Sequence, residues 1–334
     1  MPDPIQAKGA NSSMIYGLCS AFGALPGTPE GLVLYRKGGE SFAGDVEQIK
    51  SDIMRNNRNP MEPTDGNIKQ GGGFQFDLAW QYALFFRHLL GGYTPADAVG
   101  GVYTEVFKVG NIPAAGLWFE KGFPDLAAPQ FIQSVGHKIN KFSYEMKPSG
   151  YLGCSFDIPG ANELTPTGAS VDATPIDLGL DAFNAKIATV EFNGTAIGNV
   201  SSAKFDFDNT MDTGNYCLNG GGAIRSISEG EVNLSGSLSY LFEDSSLYDL
   251  AVAGSIVNLK FDHLLGLGDG TAGNERMTIE LPEIKLEKKT PTIKDAKGVV
   301  GEAPFTGFYK NDAAASCMVI TVKHASAVLH GLLV

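Results

Sequence analysis

The sequence predicts a mainly β fold made of two tandem β-rich modules, each with one flanking helix. Alternation of apolar and polar residues recurs along the chain, most clearly where Val232, Leu234, Leu238 and Tyr240 alternate with Glu231, Asn233, Ser235, Ser237 and Ser239. Glycine is abundant, 42 of 334 residues, without a collagen-like period, which suits turns and β-bulges. The order strand, strand, helix, strand, strand, strand, strand reads twice, once in each half, with negligible residue identity between the two runs. At 43% hydrophobic composition the chain can bury two ordinary cores. The expected division is an N-terminal arm over 1–46, a first module over 47–165, a linker over 166–182 and a second module over 183–334.

Residues 1–46 are glycine, proline and alanine around short apolar runs such as MIYGL and GLVLY. They are expected to form a loose terminus, or an extension that finds its partner on a neighbouring subunit. Residues 47–57 are weakly strand-like, and NPMEPTDGNIKQGGG from Asn59 is rich in turn formers, with Asp65-Gly66 as the expected tight turn. The result is a long protruding hairpin whose tip mixes Arg55, Arg58 and Lys69 with Asp52, Glu62 and Asp65.

After a short strand at Gly73–Asp77, LAWQYALFFRHLL reads as a helix stopped by Gly91 and Gly92. Its apolar residues, Trp80, Tyr82, Phe85 and Phe86 among them, cover nearly all faces. A helix apolar all round is buried on several sides. It is expected to pack between modules, on a neighbouring subunit in preference to its own sheets.

VYTEVFKV is the next strand, and a hairpin follows from His137 to Ile158, turning at Lys147–Gly150. Phe142, Tyr144 and Met146 match Leu152, Cys154, Phe156 and Ile158 on an oily face, while Lys141, Ser143, Glu145, Gly153, Ser155 and Asp157 make the other face. Residues 160–181, dense in Thr, Pro, Ala, Gly and Asp, read as a boundary. VSSAKFDFDN then sets Phe205 and Phe207 against Lys204, Asp206 and Asp208. After the strand around Leu238, Asp244, Ser245 and Ser246 offer capping oxygens for a short helix ending at Gly254, where a left-handed residue belongs. MTIELPEIKL is a strand that bends or ends at its proline, and SCMVITVKH alternates again.

The net charge of −12 opposes a protein that grips nucleic acid, which relies on Lys and Arg, but not one that lets it pass. No run approaches the ~20 apolar residues of a membrane span, and the first residues lack a signal-peptide pattern, so a cytosolic product without membrane contact is expected. Cys19, Cys154, Cys217 and Cys317 match no metal or redox spacing, and Cys154 and Cys317 read as core thiols. FDFDNTMDTGN lacks the glycine position and bidentate Glu of an EF-hand, LGLGDGTAG lacks the lysine of a phosphate loop, and the five histidines are scattered. Neither catalysis nor a metal or cofactor is expected. A carbohydrate-binding or adhesive β-sandwich would place aromatics in loops, whereas here they fall mostly in strands and one helix.

The joint order of GHKINKFSYEMKPSGYLGCSFDIPG, VSSAKFDFDN, GEVNLSGSLSYLFEDSSLYDLAVAG and MTIELPEIKL resembles the tail tube proteins of long-tailed bacteriophages. The resemblance implies β-sandwich or half-barrel modules, each with a flanking helix. Copies assemble into a ring with one continuous β-barrel, and rings stack into a hollow tube in the virion tail, built in the host cytoplasm. Related tubes serve contractile tails and secretion systems. Implied partners are further copies of the chain, the tape measure protein and genomic DNA transiently in the lumen, and the tail terminator and distal tail proteins at the ends. A duplicated chain of this length closes a six-fold ring as a trimer, an unduplicated one as a hexamer; the trimer is expected. Six modules of four inner strands make about 24 strands, a wall roughly 150 Å around and a bore of about 38 Å, wide enough for duplex DNA. An acidic lining repels phosphates, and Asp206, Asp208, Glu231, Glu145 and Asp157 with Ser235, Ser237 and Ser239 are the expected wall. The hairpin residues Arg55, Arg58, Glu62, Asp65 and Lys69 are expected to join adjacent rings.

Overall fold

The period-two patterning folds into antiparallel sheets. The computed structural model describes residues 6–54, 56–293 and 298–334. Strands β1 (Ser13–Leu18) and β2 (Leu32–Val33) precede a hairpin of β3 (Ala43–Ile49) and β4 (Thr64–Asp77). A 3-10 turn at Trp80–Tyr82 leads into helix α1 (Ala83–Leu90), then β5 (Gly91–Thr94), β6 (Tyr103–Val109), β7 (Leu117–Phe123) and β8 (Gln130–His137). Next come β9 (Lys141–Met146), β10 (Gly153–Gly160) and β11 (Asn162–Glu163). The second half holds β12 (Thr189–Phe192), β13 (Thr195–Ala196), β14 (Val200–Asp208), β15 (Asn233–Leu241) and helix α2 (Ser246–Ala253). It continues with β16 (Ile256–Leu264), β17 (Arg276–Leu286), β18 (Val300–Gly307), β19 (Val319–His324) and helix α3 (Ala327–Leu333).

Three layers of strands result. A front layer runs β3-β4-β10-β9-β14-β15-β18 and ends on the last residues of β17. Behind its first half lies a sheet in the order β11-β8-β7-β1-β2, and behind its second half a layer in the order β19-β17-β16-β12-β13, extended past β19 by β6 and β5. No sheet closes on itself among the described residues. β17 belongs to two layers: Arg276–Glu280 pairs with β19, and Ile284–Leu286 pairs with β18. The switch falls at Pro282, beside a bulge where the register against β16 shifts between Val257 and Leu259. Proline lacks the N–H a regular ladder would use, so a bulge is where a strand tolerates it.

The oily faces meet between the layers. Phe85 of α1 lies 5.4 Å from Phe74, 5.3 Å from Phe156 and 4.6 Å from Tyr16, linking front layer to rear sheet through the helix. In the second half Phe205 meets Phe261 of β16 directly, at 5.7 Å. Phe85 and Phe86 are wholly buried, and Trp80 and Tyr82 nearly so, within the one chain. The subunit boundary expected for this helix therefore gives way to a place inside its own chain, between its own sheets. Gly254 does end α2 in the left-handed region, at φ 62°.

Other expectations change too. The arm is not loose: β1 pairs with β7 over six residues, and Met14, Ile15 and Tyr16 are buried. The run MIYGL was misleading because β7, its long partner, lies about a hundred residues downstream, and GLVLY then pairs back on β1. The 166–182 stretch is fastened to the first half, with Thr167 bridging Phe131, Ile176 donating to the Gly31 carbonyl and Ser170 to the Glu120 carboxylate. Asp65 and Gly66 are not a turn, since Asp65 pairs with Gln48 inside the hairpin and the described residues between Ile49 and Thr64 form its tip. α3 and the rear strands β7 and β8 have no counterpart in the expected elements.

Candidate functional surface

The outward face of the front layer is built by parity. In each strand the residues between the buried aromatics point away from the core, and antiparallel pairing aligns them in rows. One row runs Gln75, Ser155, Ser143, Asp206, Ser235, Thr306 and Lys285, each directly opposite the next. A second runs Asp77, Gly153, Glu145, Lys204, Ser237 and Pro304. A third runs Gly73, Asp157, Lys141, Asp208 and Asn233. The rows cross the boundary between halves without a break, because β9 pairs with β14 over Lys141–Met146 and Ala203–Asp208.

Seven of the eight expected wall residues therefore share one face: Asp206, Asp208, Glu145, Asp157, Ser235, Ser237 and Ser239. Glu231 is exposed but precedes β15, and its carbonyl accepts from the Thr210 hydroxyl. The expected acidic lining is corrected. Lys141 lies 3.3 Å from Asp206, Lys147 3.0 Å from Glu145, Lys37 2.8 Å from Asp77, and Lys289 pairs with Glu302. Lys204 stands exposed in the same face. The surface is one of small hydroxyls and mixed charges. The lysines were legible by the same parity; weighting the carboxylates alone missed them.

Ser143 donates to Asp206 at 2.5 Å and the Asn140 amide to Asp157 at 3.2 Å, so the acidic groups are held by the sheet as well as by lysines. A groove of about 890 Å³ lies along this face, lined by Glu145, Lys204, Asp206, Ser235 and Thr306 among others.

The expected ring-joining residues divide. Arg58 and Glu62 are exposed on the 50–63 loop, Asp65 and Lys69 are exposed on β4, with Lys69 opposite Asp45, and Arg55 lies outside the described residues. The helix residues serve the interior: the Trp80 ring stacks on His324 at 5.5 Å, and the Tyr82 hydroxyl donates to the Tyr35 carbonyl at 2.7 Å.

Among the described residues no group of three or more His, Cys, Asp or Glu is arranged to hold a metal ion. In the calcium-like stretch, Asp208 and Asp212 accept from the backbone N–H of Thr210 and Gly214, which is turn geometry. Cys154 and Cys317 are buried, and burial raises both thiols, Cys317 to about 11. No helix of the described residues is long and apolar enough to cross a membrane.

Comparison with known proteins adds one match: the sequence profile of a family described as phage tail tube protein covers residues 9–307. No curated protein sequence matches the chain significantly.

Proposed function

The chain belongs to the phage tail tube protein family and so has a structural role in a viral tail; from that premise we propose that three copies close a ring, that rings stack into a hollow tube, and that genomic DNA passes through it. The front layer faces the bore. The observation that carries this reading is the unbroken hydrophilic face shared by both halves, with the aromatic side chains of β4, β10, β9, β14, β15 and β18 all buried on the opposite side. Lys37, Lys141, Lys147 and Lys289 sit beside carboxylates, so they present little net positive charge to a passing phosphate backbone, and sliding is not arrested.

The trimer rests on topology. The front layer reads β3-β4-β10-β9 and then β14-β15-β18-β17; the rear reads β11-β8-β7-β1-β2 and then β19-β17-β16-β12-β13. Each half thus uses the same strand order in both layers, with the β8 and β9 pair replaced in the second half by one bent β17. Three such chains supply about 24 inner strands, the count that gives a bore wider than duplex DNA. On this reading the tape measure protein fills the lumen before DNA does, and terminator and distal tail proteins cap the ends.

Image reconstruction of the purified, polymerised protein tests the proposal. Rings of three chains with Ser235, Asp206 and Glu145 lining the bore are expected. Six identical chains per ring overturn the trimer, and these residues on the outside overturn the lumen assignment.

A further inference from the structure

We infer that the boundary between the two halves is the pattern for the boundary between chains: the outer edge of β3 in one copy pairs with residues 286–290 of the next, and the loop 50–63 straps across that joint. This rests on the ring reading above and names the surfaces that would meet.

Within the chain, the last strand of the first half, β9, pairs antiparallel with the first strand of the second, β14. The segment joining β14 to β15 then crosses the joint and fastens on the first half. The Gly222 carbonyl accepts from the Ile68 N–H at 2.8 Å, the Tyr216 hydroxyl donates to the Ile68 carbonyl at 3.0 Å, and Ile224 and Ile227 pack on Ala161.

By strand order β3 corresponds to β14, and the end of β17 corresponds to β9. Both edges are open among the described residues. β3 pairs only with β4. β17 meets β16 last at Lys285, while the chain runs on beside β18, with the Glu287 N–H donating to the Pro304 carbonyl at 2.8 Å. Open edges invite another strand.

The two edges also match in chemistry. β3 carries Asp45 and Glu47, with Val46 and Ile49 about half exposed, at 49% and 51%. The opposite end carries exposed Lys285 and Lys288 beside half-exposed Phe242, Val252, Ile256 and Val300. The loop 50–63 occupies the position of the 209–232 strap, but among its described residues Ile53 and Met54 stand out from their own chain, 70% and 97% exposed. It is therefore assigned across the ring, to a lateral neighbour, instead of to the ring above.

Full-length chain carrying Cys217→Ser, which removes the exposed native thiol, together with Asp45→Cys and Lys288→Cys tests this after assembly. A short bismaleimide is expected to give a covalent ladder that ends at three chains, and neither single-cysteine variant gives one. Tubes that form without cross-linking overturn the inference while leaving the tube reading intact, and a ladder that continues without limit places the contact between rings and also overturns it. In a second arm, Asp45→Lys with Glu47→Lys abolishes polymerisation, and adding Lys285→Glu with Lys288→Glu restores it. A folded, soluble quadruple variant that stays monomeric overturns the pairing. Wild-type protein that never polymerises would instead refute the tube reading itself.

Discussion

At the scale of single residues, space and parity explain most positions. Gly236 sits on the core side of β15, where a Cβ would lie 2.3 Å from the Phe305 ring and 2.5 Å from the Lys204 carbonyl. Gly236→Val is expected to destabilise the fold by roughly 1–3 kcal/mol, the range for overpacking a filled core. Urea denaturation of the variant checks it, and unchanged stability would contradict the packing. The common face of the seven residues expected to line a wall, on β9, β10, β14 and β15, was legible because period-two alternation fixes a side chain's face from its neighbours alone. The pairing of that face's charges was not, since it depends on which strands lie side by side and therefore on which lysine meets which carboxylate.

Among elements, legibility tracks how local the stabilising contacts are. The β9–β10 hairpin, α2 with its left-handed Gly254, and the bend of β17 at Pro282 are set by residues near in sequence, and each was readable. β1, by contrast, has its six-residue pairing with the distant β7, and α3 is held by groups far upstream. His330 Nδ1 lies 2.7 Å from Glu105 Oε1, the Tyr93 hydroxyl donates to Glu105 Oε2 at 2.7 Å, His324 Nε2 is 3.5 Å from the same carboxylate, and Tyr103 stacks on His330 at 4.3 Å. Burial pushes the Glu105 carboxyl up, but its contacts with His324, Tyr93 and His330 outweigh that and hold it below the ordinary carboxylate range. Glu105→Gln is therefore expected to cost about 1.5–3 kcal/mol near neutral pH, the worth of a hydrogen bond to a charged group. The native carboxyl's contribution exists above its unfolded pKa and is lost as pH falls through the depressed folded one, so the gap between wild type and variant narrows in acid. Denaturation curves at neutral and acidic pH measure both, and a gap that widens in acid would refute the account.

For the whole molecule, acid is the expected weakness. His88 on α1, His137 on β8 and His263 on β16 are buried, and burial lowers them to about 3, 3 and 4 respectively. They stay neutral in the fold but take up protons when it opens, so their stabilisation is complete above the ordinary histidine value near 6.5 and drains away below it. Three such groups give a slope of about 4 kcal/mol per pH unit between roughly pH 6 and 4. Unfolding midpoints measured across pH 4–8 should be flat above about 7 and fall steeply below 6; a midpoint insensitive to pH down to 4 would mean these rings are not buried neutral.

The bent course of β17 has a mechanical side. One covalent backbone passes from the rear layer to the front, hydrogen-bonded to β16 along almost its whole length. Tension on either layer is handed to the other through ladders loaded in shear, so the second half cannot delaminate sheet by sheet and has to yield as a block.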